Sequence, residues 1–304
     1  MNFRNPLKST PFYSLLSGLL LMFMACQKDN NNNASSGNTN SDTTAAQLSA
    51  ATTLADNAYD DIFQTAVQTG YDNNIAYKSS QAGDGQIQVN TTRSVETSFG
   101  VNGCAVYTVS PNDNTTFPKT ITVDFGSGCT DAVGVTRKGK ITYIFSGKLI
   151  NPGTTVSASF TNYSISGYQL QGTYSITNNS SLANGIAFTT KVTDGNIVLP
   201  DQSSFSYIGS KSVTQTAGMA TTMDASDDVY SITGNNTFSS NGNTLVNNIT
   251  KALSKAYTCK FIGSGVISFT YNNETKGTLD FGSGACDGDV TIKVDAYTLN
   301  VTFQ

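Results

Sequence analysis

The chain has 304 residues, enough for one large or two small domains, and carries 17 Lys and Arg against 21 Asp and Glu. This net charge of −4 gives no basic excess, so we expect no nucleic-acid partner. The absence of histidine excludes Ser-His and Cys-His nucleophile pairs and His-ligated zinc. Charged residues make up only 12%, and an Asn-, Ser- and Thr-rich chain of that kind is typical of extracellular β-proteins.

Residues 1–25 have the pattern of a lipoprotein signal peptide. Arg4 and Lys8 precede a short apolar core, Phe12 to Met24, which is too short to span a bilayer as a mature helix. The core ends at Ala25-Cys26, a small residue followed by cysteine. We therefore expect cleavage before Cys26 and acylation of its sulfur and amino group. An ordinary secretory peptide or a short membrane stub is the alternative.

Residues 26–44 are predicted to be a flexible tether that follows the acylated cysteine. Gln27-Lys28-Asp29 resembles the signal that exports Bacteroidota lipoproteins to the outside of the outer membrane. The Asn-, Ser- and Thr-rich residues that follow show no apolar periodicity. The expected location is the outer membrane, at the cell surface, with the membrane itself as a partner through the lipid anchor.

Residues 45–304 are predicted to be a β-rich domain that begins with one α-helix. Apolar residues at three- and four-residue steps predict the helix over 45–69, ended by Gly70. Its acids Asp56, Asp60 and Asp61 are interpreted as a solvated face, with paired catalytic carboxylates as the alternative. From about Gln86 onward, alternating apolar residues and turn signals predict strands in succession. The expected fold is a mainly β antiparallel meander, forming a curved sheet, a half-barrel or a sandwich.

An internal repeat carries the remaining cysteines. Asp-Phe-Gly-Ser-Gly occurs at 124–128 and again at 280–284, each followed closely by a cysteine and each preceded by one. The repeat predicts two local disulfides, Cys104–Cys129 and Cys259–Cys286, in repeat elements near 104–129 and 259–286. Because neither copy contains Cys-x-x-Cys, we expect no redox or metal role.

The aspartates of the repeat have two interpretations. Asp124 and Asp280 each precede glycines, so a carboxylate that accepts hydrogen bonds from a following tight turn is the preferred one. Calcium ligation is the alternative, although neither copy has the acid count of an EF-hand loop.

Two further groups suggest contacts with a partner. Residues 137–140, Arg-Lys-Gly-Lys, form a basic cluster that could touch anionic lipid or a charged glycan, or be a solvated hairpin end. Tyr163, Tyr168 and Tyr174 could form a sugar-stacking stripe or pack across strands.

A resemblance to a known family rests on Gln27-Lys28-Asp29 and on the segments 56–61, 117–126, 136–141, 160–163, 228–234 and 279–284. In these segments the chain resembles a family of uncharacterised Bacteroidota surface lipoproteins, and the resemblance covers nearly all of residues 45–304. This chain has Tyr207 and Lys211 where the family pattern has Trp and Arg in the central strands. The resemblance implies a surface-anchored β-protein and supplies no catalytic residue.

The expected function is a non-catalytic binding or structural role toward a glycan or a surface protein, with no catalytic residue, cofactor or metal assigned. One alternative is a carboxylate-dependent glycoside hydrolase, since two acids suffice for that chemistry. Its candidate acids are Asp124, Asp201, Asp280 and the cluster from Asp224 to Asp228. The other alternative is a β-barrel-like carrier of an apolar ligand.

Overall fold

A computed structural model describes residues 39–72, 105–113, 115–131, 134–181, 185–219 and 226–303. Within these described residues there are one helix, α1 (Thr39–Asp72), and fourteen strands. Strands β1 to β14 are Val106–Ser110, Lys119–Asp124, Cys129–Thr130, Thr136–Phe145, Thr155–Ile165, Tyr168–Asn178, Ala187–Val198, Ser204–Ala217, Val229–Ser240, Asn243–Ala256, Ser264–Tyr271, Thr275–Ser283, Asp289–Val294 and Tyr297–Thr302.

The strands form one antiparallel sheet in which neighbours in the chain are neighbours in space. The order runs from β1 through β2, β4 and onward to β14, and the two-residue β3 pairs with β4 beside this path. The predicted mainly β meander with one N-terminal helix is therefore confirmed. Of the three arrangements considered for the sheet, the structure has the curved one, an open sheet that is not closed into a barrel.

The sheet curves because bulges interrupt its ladders. Register shifts occur in every pairing from β4–β5 to β11–β12. A bulge bends its strand and increases the local twist. At Gly139, in β4, φ is +74° and the backbone oxygen of Asn162 would lie 2.2 Å from an added Cβ, so only glycine fits there.

Helix α1 lies against the inner face of this curved sheet. It contacts β5, β6 and β7 as well as β12, β13 and β14, so strands from both halves of the sheet pack on it. Between Ser41 and Gly70 no residue is fully exposed. The inner face carries the aromatic and aliphatic core, whereas alternate Thr, Ser and Asn side chains face outward, as the period of two requires.

The helix is longer than predicted. It begins at Thr39 rather than at residue 45, so residues 39–44 of the predicted tether belong to it, and it continues past Gly70 to Asp72. Ala45 and Ala46 are fully buried, and the Ser41 hydroxyl lies 3.4 Å from that of Thr275 on β12. Packing against the sheet therefore stabilises a first turn whose own helix propensity is low.

Within the described part of the chain, no helix combines the length and apolar character needed to cross a membrane. The predicted signal peptide, Cys26 and most of the tether lie outside the described residues.

Candidate functional site

The helix acids Asp56, Asp60 and Asp61 lie where helix α1 meets the sheet, and the expectation that they form a solvated face is wrong. Asp56 is only 7% exposed, and all three acids contact cationic side chains of the sheet. The helix has no basic residue between Ala45 and Thr69, so every countercharge comes from a strand far away in the chain.

Arg137 on β4 binds two carboxylates at once. Its Nε donates to Asp61 Oδ2 at 3.0 Å, its Nη2 donates to Asp61 Oδ1, and its Nη1 donates to Asp131 Oδ2 at 2.8 Å. The Tyr163 hydroxyl also donates to Asp61, at 3.3 Å. Burial would lower the pKa of Arg137, but the adjacent Asp61 raises it, so the guanidinium stays charged.

The basic cluster at 137–140 is therefore divided between the two faces of the sheet. Arg137 is buried, whereas Lys138 and Lys140 are exposed, and Lys140 pairs with Asp124 at 2.8 Å. The interpretation as a wholly exposed basic patch is wrong, because the period of two in β4 turns Arg137 inward.

A second network surrounds Asp56. Lys211 Nζ lies 3.0 Å from Asp56 Oδ1 and 3.1 Å from Asp60 Oδ1. The Tyr207 hydroxyl donates to Asp56, and Asn236 Nδ2 donates to both of its oxygens at 3.2 Å. Burial would lower the pKa of Lys211, but the two carboxylates raise it. Tyr207 and Lys211 thus anchor helix α1 to β8.

A cleft of about 210 Å³ opens beside these networks, between helix α1 and the two flanks of the sheet. One wall is formed by Asp61, Asp131 and Arg137. The lining also includes Lys255 near the end of β10, residues 257–261 of the β10–β11 connection, and Phe303. A larger groove of about 560 Å³ on the outer face of β10 to β13 is open, and no buried charged residue lines it.

Lys255 lies between the cleft and a second, small cavity of about 30 Å³. It is 8% exposed, and its Nζ donates only one long hydrogen bond in the described structure, 3.4 Å to the carbonyl of Lys260. Burial lowers the pKa of Lys255. The charges of Asp60 and Asp61 raise this pKa, and the charge of Lys211 lowers it. Lys255 was not among the predicted site residues, although it has the inward parity of Leu253 and Tyr257.

The predicted disulfides are seen in part. Cys259 and Cys286 are bonded, with Cα atoms 5.7 Å apart, so this pairing is confirmed. The bond joins the β10–β11 connection, which lines the cleft, to the connection between β12 and β13. Cys129 is disulfide-bonded as well. Because Cys104 lies outside the described residues, the Cys104–Cys129 pairing stays a prediction.

The aspartates of the repeat make the contacts that the turn interpretation predicts. Asp124 Oδ1 accepts from the Gly126 N–H and Asp280 Oδ1 from the Gly282 N–H, each at 2.9 Å. No group of three or more metal-binding side chains occurs among the described residues.

The other candidate acids that the structure describes, Asp201 and Asp228, are each held by local hydrogen bonds. Asp201 is in an exposed turn, where it binds Ser203. Asp228 is buried and accepts from Gln215 and Tyr230. Asp224 lies outside the described residues.

Two of the three tyrosines of the suggested stripe, Tyr163 and Tyr174, are packing residues. Tyr163 and Tyr174 are buried, and Tyr174 stacks on Tyr59 of the helix with ring centroids 6.4 Å apart. Neither ring is available to a sugar, so cross-strand and helix packing explains both of them.

The fold and the cleft define a class of protein in which one curved antiparallel sheet packs around a helix. Buried ion pairs connect the sheet to the helix. No protein family, curated protein or solved structure matches this chain.

Proposed function

We propose that this chain is an outer-membrane lipoprotein of the Bacteroidota surface type that it resembles, anchored through acylated Cys26 and exposed at the cell surface. Its sheet-and-helix body binds a glycan or a surface partner without transforming it. The observation that carries the binding role is the cleft beside Arg137, because it combines a recess with charged and amide side chains held on rigid elements.

Binding fits this cleft better than hydrolysis. The two carboxylates on its wall, Asp61 and Asp131, both accept hydrogen bonds from one guanidinium. A glycosidase needs one carboxyl group that donates a proton and a second that acts as base or nucleophile. Two carboxylates that accept hydrogen bonds from one guanidinium are held in place by that cation, which suits a structural role.

An apolar-ligand carrier has less support than a binding cleft. The space on the inner face of the sheet is filled by helix α1, with Ile62 fully buried and its carbonyl accepting from the Tyr143 hydroxyl at 3.1 Å. Small barrels that carry a ligand need that interior to be empty.

The proposal is tested in cells. Metabolic labelling with radioactive palmitate should mark the wild-type protein and fail to mark Cys26→Ser, and a membrane-impermeant biotin reagent should label the wild type on intact cells. The purified full-length protein in detergent should then enrich a glycan on an array or a partner in a pull-down. An unlabelled wild type, or turnover of a glycoside substrate that Asp61→Asn abolishes, would contradict the proposal.

A further inference from the structure

The charges that line the cleft do not cancel. Asp61 and Asp131 are both paired with Arg137, and together these three groups carry one negative charge. Lys255 and Lys260 also line the cleft, and within the described structure neither forms an ion pair with a carboxylate. The cleft wall therefore has one positive charge in excess.

Lys255 is the group that points to a ligand. An ammonium has three donors, and in the described structure Lys255 uses one, in a 3.4 Å contact. Its nearest acids are already occupied, Asp60 by Lys211 and Asp61 by Arg137. A buried cation is costly unless an anion and further hydrogen bonds compensate it. A negatively charged ligand in the cleft would supply both.

Size and lining restrict the ligand further. A volume of about 210 Å³ is smaller than a drug-sized pocket, so it suits a single small molecule. The amides of Asn57 and Gln64 can hydrogen-bond hydroxyl groups, and Phe261 and Phe303 offer apolar contact. A phosphate dianion would exceed the single excess charge and would be repelled by Asp61 and Asp131, which line the same cleft.

We propose that the cleft binds an acidic monosaccharide of the hexuronate class, with the sugar carboxylate on the Lys255 ammonium and its hydroxyls on Asn57 and Gln64. This inference rests on the proposed binding function and names its ligand class.

The experiment is calorimetric titration of the purified full-length protein in detergent with glucuronate and galacturonate. Glucose is the uncharged probe, and inorganic phosphate is the competing anion. We expect one of the two hexuronates to bind with a Kd below about 10 mM, and glucose and phosphate to bind at least tenfold more weakly. Absence of binding by both hexuronates, or equal binding of glucose, would overturn the inference.

Variants distinguish a ligand contact from a structural countercharge. Lys255→Met should weaken hexuronate binding at least tenfold and leave the free energy of unfolding unchanged or higher, because it removes a poorly compensated buried cation. Lys255→Arg should retain part of the binding. Lys251→Met, at an exposed lysine of β10 that does not line the cleft, should change binding less than threefold. A less stable Lys255→Met would show that Lys255 balances Asp60 and Asp61, against the inference.

The inference and the proposed function fail in different ways. If the protein is acylated and enriches a neutral glycan or a protein but no hexuronate, only the inference fails. If hexuronates bind but the protein is not acylated at Cys26, the cleft assignment holds and the surface-lipoprotein proposal fails.

Discussion

At the scale of single residues, the interior depends on a few long-range ion pairs. Arg137 and Lys211 each bridge two carboxylates, and helix α1 supplies at least one of the two in each case. Such groups are expensive to bury, and replacing a whole pair with apolar residues is often neutral. Removing one member leaves the others charged and unpaired, which is far more damaging.

This predicts unequal effects for two cations on the same strand. Arg137→Met leaves the buried Asp131 and the half-buried Asp61 without their cation, so we expect a loss of about 3–5 kcal/mol in unfolding free energy. Lys140→Met breaks a pair whose side chains are 50% and 33% exposed, so the expected loss is about 1 kcal/mol or less. Urea unfolding followed by circular dichroism measures both. Comparable losses in the two variants would show that the Arg137 network contributes no more to the free energy of unfolding than an exposed ion pair does.

At the scale of elements, the strands are bent by bulges and the ends of α1 are set by packing. The bulge at Gly139 lies in β4 opposite Asn162, whose own φ is +50°. A bulge that bends its strand in this way contributes to the curvature around the helix.

Alanine at this bulge should be poorly tolerated. Gly139→Ala places a Cβ 2.2 Å from the Asn162 carbonyl oxygen in addition to the strain of a positive φ, so we expect a loss of more than about 2 kcal/mol. Gly153 has a φ of +82° with nothing within 4 Å of an added Cβ, so Gly153→Ala shows the cost of φ alone, about 1–2 kcal/mol. Thermal unfolding of the two variants gives the comparison. Equal losses would mean that the strand moves aside at the bulge without cost.

At the scale of the whole molecule, the helix and the sheet enclose a set of phenols. Tyr143, Tyr163, Tyr174 and Tyr207 are buried, and burial raises the pKa of each well above its ordinary value. The pKa of Tyr168, at the start of β6, rises to about 12 for the same reason.

A pH titration should reveal this enclosure. A raised phenol pKa means that the folded state holds protons that the unfolded chain has already released above pH of about 10, so stability should fall as pH rises beyond that value. The 295 nm absorbance should show the four buried phenols ionising only as the protein unfolds. The same chain in guanidinium chloride, titrating near pH 10, is the control. Superimposed folded and unfolded curves would contradict the buried positions.

Local periodicity was sufficient to predict the class of fold. A period of two in strands such as β4 and β5, and three- and four-residue apolar steps in α1, record which side of each element is apolar. The duplicated Asp-Phe-Gly-Ser-Gly segment likewise predicted the Cys259–Cys286 bond, because both cysteines belong to one local repeat. Arg137, Lys211 and Lys255 are each an even number of positions from a buried residue of the same strand, Tyr143, Tyr207 and Leu253 respectively. The alternation in the sequence therefore already indicated that these three cations lie on the inner face.

The position of the helix relative to the sheet was decided by tertiary structure alone. Periodicity identifies an apolar side of α1, but it contains no information on whether the other side meets water or a second part of the sheet. Asp61 meets Arg137 across 76 residues and Asp56 meets Tyr207 across 151, distances in sequence over which no local pattern extends. Only a sheet curved enough to reach both sides of the helix buries those acids and forms the cleft, because buried charge is tolerated only where partners converge in space.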